Sequence, residues 1–199
     1  CSPRPAPATR LLWTDEVAGW VVLGIEYVAG KPPARPWQPD DLATCLDGLE
    51  VCAELFTPAP MELARFVDEV AQWPSLWDRI ATLYPDYPHT RQAKALAEQF
   101  AQACDGQTLV HTDIRDDNIL LTADGGVIFC DWNWPVRGAA WIDSLVLLIG
   151  PRGDGVDVEA LIQQRPLLRE VPAEDIDRLL ALILGYFLFS AAQAVPPSS

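Results

Sequence analysis

The run His111-Thr112-Asp113-Ile114-Arg115-Asp116-Asp117-Asn118 places an imidazole, a carboxylate, a guanidinium and a side-chain amide in one polar loop. Thirteen residues beyond Asn118, Asp131 ends a short apolar stretch, Val127 to Cys130. The chain has only two histidines and two asparagines, and one of each falls in this loop. Phosphoryl transfer needs residues of these types. A carboxylate must orient or deprotonate the attacking hydroxyl, and hard oxygen ligands must hold a magnesium ion against the nucleotide phosphates. Asp113 suits the first task. The amide oxygen of Asn118 and the carboxylate of Asp131 suit the second. Arg115, two residues past Asp113, is placed to neutralise charge growing on the transferred group. His111 reads as a brace for the loop through hydrogen bonds to backbone or to the Asp131 region.

For these residues to meet, the chain between them must fold back on itself. Ile119 to Thr122 and Val127 to Cys130 read as short strands joined by a turn at Asp124-Gly125-Gly126, a hairpin that returns Asp131 toward Asn118. Asp and Asn before a strand are ordinary turn formers when taken singly. It is their order and spacing, with an apolar strand on each side, that points to a site. Asp116 and Asp117 read as solvated loop residues, and Trp132 and Trp134 as core packing.

Around this hairpin the pattern is helical. Apolar residues recur at three- and four-residue steps from Asp40 to Phe56, Met61 to Trp73, Ser75 to Tyr84 and Thr90 to Cys104, and prolines mark the breaks. Further helices are expected at Ala140 to Ile149, Val156 to Gln164 and Glu174 to Ala192. Near the start, Trp20 to Val28 is rich in β-branched and aromatic residues and reads as a buried strand running into a turn at Gly30. Residues 1–19, Pro-rich over the first eight, read as a flexible leader and the start of the lobe, and 196–199 as a tail, so the fold class is α+β, mainly α-helical.

The 199 residues are half apolar, enough for one domain with a sizeable core. A net charge of -14, with Lys31 and Lys94 as the only lysines, argues against a nucleic-acid or anionic-membrane partner and is compatible with a cationic substrate. Five cysteines without a C-x-x-C pair read as buried free thiols, which suits a reducing cytoplasm. The apolar run Leu179 to Ala192 is too short to span a bilayer comfortably.

The stretch Leu109 to Leu121 (LVHTDIRDDNILL), followed by VIFCDW, resembles the aminoglycoside phosphotransferase family, the protein-kinase-like small-molecule kinases that include choline and homoserine kinases. The loop has the H-x-D-x-x-x-x-N spacing of kinase catalytic loops. Thr112 stands where the family has glycine, and Arg115-Asp116-Asp117 replaces the more common His-Pro-Gly. The resemblance implies transfer of a phosphoryl group from ATP or GTP, with Mg2+, to a hydroxyl of a small molecule. It implies Asp113 as base, Asn118 and Asp131 as metal ligands, and Asp143 as support for the loop. It also implies a hinge within residues 20–30, where the Glu26 carbonyl and the Val28 amide contact the nucleotide base with Ile25 behind them.

Nothing before this hinge supplies a glycine-rich loop or a strand lysine paired with a helix glutamate. The chain therefore reads as a C-terminal lobe, residues 31–195 with a catalytic loop at 109–135, whose N-terminal lobe is absent. Two other readings compete: a non-catalytic fragment or pseudokinase that keeps the fold, and a metal-dependent hydrolase using His111, Asp113 and Asp131. The second is weakened because His89, the other histidine, lies in an unrelated Pro-rich turn.

Overall fold

The computed structural model describes residues 5–193. The expected α+β class, mainly helical, is observed, with eight α-helices and seven short strands among the described residues. β1 (Leu11–Val17) and β2 (Trp20–Ile25) form an antiparallel hairpin. Its turn is made by Ala18 and Gly19, both at positive φ (52° and 81°), a geometry that matches the right-handed twist of the two strands.

This hairpin corrects two expectations. Residues 11–17 are a strand rather than part of a flexible leader, and Pro7 before them is buried, its carbonyl accepting from Phe129 N at 2.9 Å. The expected buried strand from Trp20 to Val28 stops at Ile25 and is almost wholly exposed. Cross-strand partners share a face, so Trp13, Val17, Trp20 and Val22 lie on one side and Val21 and Leu23 on the other, with no second layer over either among the described residues. Past Ile25 the chain turns back to Arg10, whose carbonyl accepts from Glu26 N (3.0 Å) and whose N–H donates to the Glu26 carboxylate (2.7 Å). The expected hinge strand over 20–30 is thus β2, an irregular link, and β3 (Gly30–Lys31). Residues 1–4 of the leader and the tail at 196–199 lie outside the described residues.

α1 (Pro39–Leu55) follows, with proline in its first turn beside Asp40 and Asp41, a favoured start for a helix. Its buried face, Leu42, Cys45, Leu46, Leu49 and Cys52, repeats at helical spacing. Gly48 lets this helix lie close against the hairpin below the site, since a Cβ there would meet Val127 Cγ1 at 2.3 Å. The helix expected at Met61 to Trp73 is only α2 (Phe66–Glu69) and a 3-10 turn, Trp73–Ser75. Residues 64–65 are instead drawn into extended backbone: Arg65 bridges Arg137, whose N–H donates to Ala64 O at 2.8 Å. α3 (Leu76–Leu83) is as expected, and the helix expected from Thr90 to Cys104 is broken into α4 (Thr90–Ala97) and α5 (Phe100–Cys104).

β4 (Thr108–Val110) leads to the His111–Asn118 loop and pairs with β7 (Val136–Gly138), a pairing not foreseen. β5 (Ile119–Thr122) and β6 (Val127–Phe129) make the expected hairpin, and β3 adds to β5 to complete a three-stranded sheet. α6 (Ile142–Gly153), α7 (Val158–Gln164) and α8 (Ala173–Ala191) close the fold. α8 packs against α3, α4 and α5, burying Ile176, Leu179, Leu182 and Ile183. No helix among the described residues is long and apolar enough to cross a membrane.

Candidate active site

β4 is buried along its length and delivers His111 to the centre of the molecule, where it is 1% exposed. The loop it opens is anchored by Asp143 in the first turn of α6. Asp143 Oδ2 accepts from His111 N at 2.7 Å and Oδ1 from Thr112 N at 2.9 Å. Burial pushes the Asp143 carboxyl up from its ordinary range, and the two amide donors pull against that rise.

His111 is hydrogen-bonded through both ring nitrogens. A carbonyl can only accept, so His111 Nε2 donates to Cys130 O (2.7 Å), and Nδ1 is left to accept from Asp113 N (3.3 Å). The imidazole is neutral in this arrangement and both nitrogens are used. Its ring lies 4.5 Å from that of Trp132, whose indole donates to Phe129 O at 2.9 Å. Trp132 therefore packs as expected. Trp134, 40% exposed, does not belong to the core.

Asn118 is 5% exposed, and its Nδ2 donates to both Asp113 O (2.9 Å) and Asp113 Oδ2 (3.2 Å). With the amide nitrogen committed, Oδ1 remains as the free donor of an electron pair. The hairpin returns the chain so that Cys130 N donates to Asn118 O at 2.8 Å, which sets Asp131 one residue from that contact. Asp131 is exposed and has φ 63°, and Thr112 has φ 67°. For a β-branched residue such a φ is strained by about 1–3 kcal/mol, and strain of this kind gathers at functional sites. Thr112 is held there by the hydrogen bond from its N–H to Asp143 and by Oγ1, whose single proton lies within reach of two carbonyls, His111 O at 2.6 Å and Trp134 O at 2.9 Å.

Arg115 Nε lies 3.3 Å from Asp113 Oδ1 and 3.2 Å from Asp117 Oδ1, with 55% of its side chain exposed. Asp117 is exposed, as expected. Asp116 is not a free solvated residue: Arg35 Nε donates to its Oδ2 at 2.7 Å, and that guanidinium holds the carboxyl below the usual range. Arg35, Asp116 and Asp154 were not legible as a group, because they lie on three separate segments and form no motif.

Asn118 and Asp131 present an amide oxygen and a carboxylate, both hard ligands. No group of three or more His, Cys, Asp or Glu that could hold a metal is found among the described residues. The donor set fits magnesium, which is commonly bound through one or two protein oxygens, waters and substrate phosphates. Of the expected base contacts, Ile25 is exposed and Glu26 and Val28 are half-buried. Glu26 and Val28 line an open cleft of about 950 Å³, together with Asp47 and Thr122. None of Asp113, Asn118 or Asp131 lines that cleft.

A model of the phosphotransferase enzyme family matches residues 2–180. The chain belongs to that family. None of the curated proteins matches the sequence. Among solved structures, an aminoglycoside phosphotransferase from Alicyclobacillus acidocaldarius is similar at 15% identity with a TM-score of 0.62, covering 89% of this chain and 62% of that one. Another, from Streptomyces rimosus, is similar at 20% identity with a TM-score of 0.57, covering 92% of this chain and 75% of that one. These likenesses show a shared fold, and the chain spans 62% of the length of the first of these enzymes.

On this phosphotransferase-family fold, one more cluster adjoins the loop. Trp134, whose carbonyl Thr112 holds, leans toward Trp73 (6.2 Å between centroids), which stacks on Tyr186 of α8 at 4.1 Å. The indole of Trp134 donates to Glu69 at 3.3 Å.

Proposed function

We propose that this chain carries the transfer centre of a small-molecule kinase, which moves the γ-phosphoryl group of ATP or GTP to a hydroxyl. The observation that carries the reading is the commitment of Asn118 Nδ2 to Asp113. It joins a metal ligand and a base in one unit and leaves the amide oxygen for a cation.

In this reading Asp113 orients the acceptor hydroxyl and takes its proton at a carboxylate oxygen. Asn118 Oδ1 and the Asp131 carboxylate hold Mg2+, which supplies charge neutralisation at the nucleotide phosphates when bound. Arg115, at the exposed rim of the loop, offsets charge on the transferred group. Asp143 and His111 keep the loop in place from within. The Glu26 carbonyl and the Val28 amide bind the nucleotide base, with Ile25 behind. Among the described residues no backbone hydrogen bond engages either group, which leaves them open to a ligand.

The acceptor lies against Trp134, Trp73 and Tyr186 with Glu69 beside them. An aromatic face next to a carboxylate suits a cationic acceptor, as does the net charge of -14. Aminoglycosides, the substrates named for both structural neighbours, are the first acceptors to try. The free thiols of Cys45, Cys52, Cys104 and Cys130 suit a cytoplasmic setting. The test is nucleotide turnover by the full gene product with an aminoglycoside and amino-alcohol panel. Full activity in an Asp113→Ala variant would sink the mechanism.

A further inference from the structure

Arg35 lies in the Pro-rich link between β3 and α1, and its guanidinium reaches across 81 positions of sequence to the catalytic loop. Its Nε donates to Asp116 Oδ2 at 2.7 Å, and a terminal nitrogen lies 3.5 Å from Asp154 Oδ2. Asp154 also accepts from Trp37 N at 2.9 Å, and the guanidinium sits 5.8 Å from the Trp37 ring, which is 5% exposed. Arg35 is thus held from behind by Trp37 and Asp154 while it holds Asp116.

We infer that Arg35 is a positioning residue for phosphoryl transfer, its ion pair with Asp116 fixing the Asn118 end of the loop while Asp143 fixes the His111 end. This rests on the reading of the loop as the transfer centre. Asp116 opens the single 3-10 turn Asp116–Asn118, which Asn118 N closes by donating to Arg115 O at 3.0 Å. Orienting Asp116 therefore orients Asn118, and through Asn118 Nδ2 the carboxylate of Asp113. Packing alone does not do this work on that side, because Ile114, Asp116, Arg35, Trp37 and Phe187 line an open cavity of about 170 Å³. Asp154 caps the end of the helix whose first turn carries Asp143, so both restraints refer the loop to one rigid element. An exposed ion pair contributes little to global stability, so its effect is on local geometry.

The test compares wild type, Arg35→Gln, Arg35→Lys, Asp116→Asn and the Arg35→Gln/Asp116→Asn double variant, in the full gene product with an acceptor and nucleotide that the wild type turns over. The expected result is a kcat lower by about ten- to a hundred-fold in Arg35→Gln and Asp116→Asn, with nucleotide KM little moved. Arg35→Lys keeps most of the rate, and the double variant is no worse than the worse single one. The melting temperature stays within about 4 °C of wild type. Amide hydrogen exchange over residues 111–119, which needs no turnover, quickens in Arg35→Gln. Unchanged kcat and exchange, additive losses, or a fall in melting temperature that parallels the loss of rate would each overturn the inference. A wild type that phosphorylates no acceptor counts against the functional reading instead, and the exchange measurement still decides whether Arg35 fixes the loop.

Discussion

Asn118 Nδ2 donates to the carbonyl and the carboxylate of Asp113, at 2.9 and 3.2 Å, so the two side chains move as one. Asp113→Ala should lower kcat by about a hundred- to ten-thousand-fold. Asn118→Ala should lower kcat and raise the Mg2+ concentration needed for half-maximal rate, because on the proposed reading it removes a metal ligand and frees the base. Combined, the two substitutions should cost much less than the product of the single losses, as expected for residues acting as a unit. Steady-state kinetics over a Mg2+ titration measures all three.

Asp143→Ala leaves the amides of His111 and Thr112 without their acceptor in a buried site. Leaving one such donor unpaired costs about 1–3 kcal/mol, and two together should lower the unfolding free energy by about 2–4 kcal/mol. Denaturant unfolding of the variant against wild type measures this. A change under about 0.5 kcal/mol would mean that surface-like tolerance extends to this position.

The Arg35–Asp116 pair has a pH signature. Because Arg35 holds the folded Asp116 carboxyl below its ordinary value, the unfolded chain takes up the proton first as pH falls. The stability from the pair is fully present above the ordinary carboxylate pKa of about 4 and is lost as pH falls through the lowered folded value. Wild type should exceed Asp116→Asn by under about 1 kcal/mol at neutral pH, and the two should converge well below pH of about 4. Asp143 acts with the opposite sign. Its raised carboxyl contributes stability that is present below the ordinary value and lost as pH rises toward the folded one. Thermal melts of both proteins across acid pH follow the difference.

Burial pushes the thiols of Cys45, Cys52 and Cys104 up to about 12. The thiolate is the reactive form, so these three should resist alkylation in the native chain at mildly alkaline pH and react on unfolding. Cys130 is only half-buried, though burial and the neighbouring Asp131 raise it too, and it should be alkylated before them. Mass spectrometry of iodoacetamide-treated protein reads the order, and native labelling of Cys45 at the rate of Cys130 would contradict the packing of α1.

The hairpin after the His111–Asn118 loop was legible because its signals are local: short apolar runs, a Gly-containing turn and rare polar residues at fixed spacing. Distant contacts were not. Arg35 stands 81 positions from Asp116 and 119 from Asp154, and β4–β7 pairing depends on a return of the chain that no short pattern encodes. Trp20 to Val28 misled through composition, since β-branched and aromatic residues mark a strand but do not say what covers it. Trp134 misled likewise, as its ring serves a surface cluster rather than the core.

α6 carries Asp143 in its first turn and Asp154 at its end, about three helical turns later. Eleven residues at about 100° each bring the two carboxylates back within about 20° of the same side of the axis. The helix is therefore a gauge block whose length sets the distance between the two grips on the loop. Adding or deleting one residue within it would swing Asp154 by about 100° and shift it by about 1.5 Å relative to Asp143. Side-chain substitutions on its exposed face should be absorbed easily, whereas a single-residue change in its length should not.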